Sequence, residues 1–107
     1  MKDKEELKED AGLVRDIVAV CSLKFPTADE SKMRDSLFRK TFTLVSKLEI
    51  HHIRRINEAL CDLDYASETA AGLRQATLYR LARYHDLKSF RKVEMPKVSV
   101  PQKTQSN

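Results

Sequence analysis

Residues 66–81 read ASETAAGLRQATLYRL, and the interpretation of this stretch decides the fold. Alanine, leucine, arginine, glutamine and glutamate all favour helix, and a single glycine, Gly72, interrupts them. Glycine takes a left-handed backbone at little cost, so Gly72 is expected to end one short helix and let a second begin. The expected pieces run from Asp64 to Ala71 and from Arg74 to His85. Leu73 would tuck beneath the turn, with Leu78 and Leu81 anchoring the second piece to the same core. Arg74, Gln75, Ala76, Tyr79, Arg80 and Arg83 are then expected on its outer face.

Upstream, three further helices are expected. In residues 4–24, Leu7, Ala11, Val14, Ile17, Val18, Cys21 and Phe25 recur at three- and four-residue spacing, which places them on one stripe. Pro26 stops that helix, and Thr27 with Glu30 forms a capping box for the next. The second helix is expected over 28–48, with Met33, Leu37, Leu44, Val45 and Leu48 inward and Phe38 and Phe42 on an adjacent stripe. Thr41 to Val45 would also suit a strand, but the helical period begins eight residues earlier and a lone strand has no partner. The third helix, 50–62, turns Ile50, Ile53, Ile56, Asn57, Leu60 and Leu63 to one side.

The fold class is therefore all-α, a compact bundle of about five helices filling one domain over residues 1–93. Two glycines in 107 residues leave no room for a glycine-rich nucleotide loop, and few aromatics argue against a sandwich or barrel. Residues 94–107, with Pro96, Pro101 and a Ser/Gln/Asn-rich end, are expected to form a flexible basic tail. Val93, Met95, Val98 and Val100 could instead make a short edge strand or partner-binding strip. The amino terminus alternates lysine with acids and lacks the apolar core of a signal peptide, and no run suffices to span a membrane. A cytoplasmic location is expected.

Charge is uneven. Residues 1–73 carry 12 Lys/Arg against 14 Asp/Glu, a net of −2, whereas residues 74–107 carry 8 against 2, a net of +6. A basic final third on a slightly acidic body suits contact with a polyanion. The chemistry of the outer face agrees: arginine bonds guanine edges, glutamine bonds adenine, and Ala76 or the Thr77 methyl can touch a thymine methyl. Tyr65, Tyr79 and Tyr84 could stack on exposed bases or pack at the edge of the core.

The string AAGLRQATLYRL is similar to the helix-turn-helix core of many small bacterial repressors. The wider segment, residues 56–90, resembles small phage and plasmid regulators and the antidote proteins of addiction modules. That resemblance implies a helix-turn-helix over 64–87 that binds double-stranded DNA and regulates transcription. Arg74 and Gln75 would read bases, Tyr79 and Arg80 would bridge bases and backbone, and Arg83, Lys88, Arg91 and Lys92 would hold phosphates. One short recognition helix reads few base pairs, so a homodimer is expected, with Phe38 and Phe42 as its candidate contacts. Glu68 stands where those families carry alanine, which predicts a half-buried glutamate or a wider separation of the two helices.

The competing expectation is an adaptor or inhibitor that binds a protein through residues 28–60 and makes no DNA contact. No catalytic residues, cofactor or metal site are expected. Cys21 and Cys61 are read as free thiols, and adjacent His51 and His52 as helix-surface residues that point about 100° apart and so cannot chelate one ion together. The carboxylates lie in mixed-charge stretches rather than in an acid/base pair.

Overall fold

A computed structural model describes residues 2–63 and 67–94, with side chains through Asp86. Four helices follow in order: α1 (Lys4–Cys21), α2 (Ala28–Phe42), α3 (Ile50–Cys61) and α4 (Glu68–Glu94). The described residues contain no strand. None of these helices is long and apolar enough to cross a membrane.

The helix starts are set by short local devices. Asp3 caps α1 and Thr27 caps α2, each side chain accepting from the third helical amide while Glu6 or Glu30 reaches back to the cap's own N–H. Ser67 performs the same service for α4, its Oγ accepting from Ala70 N at 3.2 Å. Glu49 stands at the N-cap of α3 but makes no side-chain capping bond.

Each helix packs on two others: α1 lies against α2 and α3, and α4 lies against the same two. The four thus ring a single core. Leu13, Val14, Ile17 and Val20 enter it from α1, Ile53, Ile56 and Leu60 from α3, and Ala70 and Leu73 from α4. From α2 and the turns after it come Phe38, Val45 and Leu48, accompanied by the buried polar residues Arg34 and Thr41.

Three expectations are corrected. The chain does not break at Gly72. It forms one 27-residue helix where two pieces with an intervening turn were expected, so there are four helices and no helix-turn-helix among the described residues. Ala70 and Leu73 fit this: they flank Gly72 at a three-residue spacing, and a continuous helix sets both on the face that is buried in the core. Glu68 is exposed in the first turn of α4, where its charge complements the helix dipole. The residues 64–66 that would have opened the first piece lie outside the described set.

Second, α2 ends at Phe42, six residues earlier than expected, and tight turns follow over 43–47. Thr41 and Thr43 donate their hydroxyls to the carbonyls of Leu37 (2.8 Å) and Lys40 (2.7 Å), competing with the ladder as β-branched hydroxyl residues do. Third, the inward stripe of α2 is Arg34, Phe38 and Thr41, which rotates Met33 outward to 56% exposure. Phe25 and Leu78 are likewise exposed rather than packed. Of the tail expected over 94–107, Glu94 is the last residue of α4, and residues 95–107 lie outside the described set.

A methyl group on Gly72 would meet nothing within 4 Å, and its backbone is not left-handed. Gly72→Ala is therefore expected to stabilise the protein by about 0.5–1 kcal/mol, raising the thermal midpoint by a few degrees. A turn at Gly72 would give the opposite sign, so differential scanning calorimetry decides between the two conformations.

Candidate functional site

The continuous α4 points the expected DNA-contacting residues in several directions. Arg74, Gln75, Tyr79 and Arg83 are exposed, Ala76 is half-buried and Thr77 is fully buried. Arg74 and Arg83 are nine residues apart, which on an α-helix sets them on opposite sides, roughly 180° from each other. Lys88, Arg91 and Lys92 fall within the helical span of α4, but their side chains lie outside the described set.

Two of these residues are engaged inside the protein. Arg80 Nη1 donates to the carbonyl oxygens of Val45 at 2.7 Å and Leu48 at 2.6 Å. Those carbonyls belong to the turns after α2, which lack a helical ladder, and a charged donor satisfies them strongly. Thr77 bonds back to the carbonyls of Leu73 (3.1 Å) and Arg74 (2.9 Å) while accepting from Asn57 Nδ2 at 3.0 Å. Arg80 as a base-and-backbone contact and Thr77 as a thymine contact are thus replaced by internal roles. The amphipathic pattern had already turned Asn57 inward, the one sequence signal for this polar tie.

A third tie holds the start of α4. Asp35 Oδ1 on α2 accepts from Ser67 Oγ at 3.1 Å and from Thr69 Oγ1 at 2.8 Å. Nothing in the sequence spacing links Asp35 to Ser67, because the two meet only once α2 and α4 are packed.

Between α2 and α4 these ties leave an open apolar trough. One stretch is lined by Phe42, Val45, Ile50, Ala76, Tyr79 and Tyr84, with Ser46, Arg80 and Arg83. A shallower stretch continues past Phe42 along Phe38, Arg39, Thr69 and Gly72. On α4 the wall is Gly72, Ala76, Tyr79 and Arg83, one stripe at helical spacing whose small first two members keep it open. Phe42 and Tyr79 are 53% and 65% exposed, and the Arg83 guanidinium lies 6.0 Å from the centre of the Tyr79 ring. The charged residues lining the trough are Arg39, Arg80 and Arg83, with no acid among them. Of the two candidate dimer contacts, Phe42 is at the surface and Phe38 is completely buried.

No protein-family model, no curated protein and no solved structure matches this chain.

Elsewhere, Cys21 borders a cleft with Arg34, Asp62 and Leu63, and burial pushes its thiol up to about 11 despite the opposing charge of Arg34. A thiol held protonated in this way is a poor nucleophile at neutral pH. Cys61 is exposed, and both cysteines are free. His51 and His52 do not diverge as expected: their ring centres are 4.0 Å apart, tilted by 44°. Burial and the neighbouring His51 hold the His52 imidazole below its usual range.

The engagement of Arg80 gives a direct check. Arg80→Ala is expected to destabilise the fold by about 2 kcal/mol, because it leaves two carbonyls without their charged donor. Arg83→Ala should stay within about 0.5 kcal/mol of the parent. Urea titrations of both variants test this, and equal midpoints would refute the assigned role of Arg80.

Proposed function

We propose that this chain is a helical protein-interaction module that docks a short acidic amphipathic helix in the trough between α2 and α4. The supporting observation is the pairing of exposed Phe42 and Tyr79 across an apolar floor whose charged members are all arginine. Exposed aromatics beside arginine are the residue types that dominate binding energy at interfaces. From Gly72 to Arg83 the wall extends about 16 Å, which accommodates three turns of helix. A second copy of the same chain suits the trough less well, since an isologous contact would set one all-arginine set of charges against another. The module binds rather than catalyses in this reading.

A panel of labelled three-turn peptides tests the proposal, each with Leu or Phe on one face and either Asp/Glu or Lys on the flanks. The acidic set is expected to bind, and Phe42→Asp or Tyr79→Ala to weaken it by roughly thirtyfold, or about 2 kcal/mol. Equal binding of the lysine-flanked set, or indifference to both substitutions, would overturn it. A Phe42-dependent dimer in sedimentation equilibrium would assign the trough to a second copy instead.

A second reading is binding of double-stranded DNA by the exposed side of α4, in the manner of a small phage or plasmid regulator. It is favoured by the exposure of Gln75, Tyr79 and Arg83 at helical spacing on one side of α4, which leaves Arg74 on the opposite side, and by the net +6 of residues 74–107. Phosphate-dominated binding should then fall steeply between about 50 and 200 mM salt and weaken further in Arg83→Ala. A folded sample that binds no duplex at low salt would eliminate it.

A further inference from the structure

At the start of α3, three residues of metal-ligating type stand together. Among the described residues, the candidate ligand atoms of Glu49, His51 and His52 all lie within 4.8 Å of one another. Glu49 Oε1 is 3.9 Å from His51 Nε2, too long for a hydrogen bond. The Glu49 carboxylate is free for this role because, although it occupies the N-cap, it makes no capping bond. Glutamate is not among the residues whose side chains cap helix amides well, and here its carboxylate lies beside two imidazoles.

We propose that Glu49, His51 and His52 form a binding site for a late first-row divalent metal ion such as Zn²⁺, Ni²⁺ or Cu²⁺. The donor set is two imidazole nitrogens and one carboxylate oxygen, the combination that suits these ions rather than Mg²⁺ or Ca²⁺. Nitrogen and oxygen ligands sit about 2.0–2.2 Å from zinc, so tetrahedral donors are separated by about 3.4 Å. Small side-chain rotations close the present spacing to that value. Glu49 and His51 are exposed and His52 is half-buried, so the ion can enter from solvent and retain water in its remaining position. The carboxylate also offsets the positive end of the α3 dipole, which would otherwise repel a cation. The carboxylate of Asp10, which bonds Lys2, adds a negative charge felt by His52, and the Lys2 ammonium opposes it. The observations behind this site are separate from those behind the trough.

Calorimetric titration of the full chain with Zn²⁺ tests the proposal, backed by the visible spectrum with Co²⁺. One ion per chain is expected, with nitrogen/oxygen ligation and no thiolate charge-transfer band from Cys21 or Cys61. His51→Ala and His52→Ala should each weaken binding by roughly tenfold or more, whereas His85→Ala should leave it unchanged. Circular dichroism confirms that the variants remain helical. No uptake at millimolar Zn²⁺, a thiolate band with Co²⁺, or retention of affinity in the His51→Ala/His52→Ala double variant would each overturn the site.

Discussion

The reach of Arg80 from α4 to the carbonyls of Val45 and Leu48 fixes the architecture more than any other polar contact. After Phe42 the chain leaves regular helix, and its carbonyls need donors from elsewhere. One guanidinium nitrogen, Nη1, supplies both bonds, which ties α4 at this height to the turns after α2. Two further ties act in the same sense, Asp35 with Ser67 and Thr69, and Asn57 with Thr77. They are spread from residue 67 to residue 80, about 20 Å along a helix. Contacts that far apart can hold one rod in place against two neighbours, and a hinge at Gly72 would uncouple the first from the others.

Much of the fold was legible because it is local. The Thr27/Glu30 capping box and the apolar stripe of α3 are written within a few residues of where they act. By contrast, α1 ends at Cys21, before Pro26 is reached, and buries Leu13 and Val20 beside Val14 and Ile17 while Leu7, Ala11 and Phe25 stay exposed. What escaped is what depends on partners distant in sequence. The inner stripe of α2 contains Arg34 and Thr41, so hydropathy alone places Met33 inward and misses the true face. Thr77 reads as a surface threonine until Asn57 is brought to it from 20 residues away. Gly72 misled for a related reason. Its intrinsic penalty in helix is only about 1 kcal/mol, well within what burying Ala70 and Leu73 on one continuous face restores.

The same distinction governs the candidate site. Phe42 was identifiable from sequence as an apolar residue off the main stripe, but its companion Tyr79 was assigned to a nucleic-acid face. Packing unites them: Ala76 and Gly72 are too small to fill the space beside Phe42, so the cleft between α2 and α4 stays open. A larger residue at either position would close the trough from within. Openness here follows from two small side chains on a helix held at a fixed height by Arg80, rather than from any loop.

Among the described side chains, the arginines of the last third do not share a single surface. Of the arginines with described side chains in α4, Arg80 is turned inward, Arg83 edges the trough beside Tyr79, and Arg74 lies on the opposite side of the helix. Net charge along a segment reports composition, whereas recognition requires charges to converge in space. Along the trough, Arg39 from α2 lines the stretch beside Gly72 and Arg83 from α4 lines the stretch beside Tyr79, with exposed Phe42 bordering both. An arginine at each end of an apolar floor is the pattern that the acidic amphipathic helix proposed above would complement.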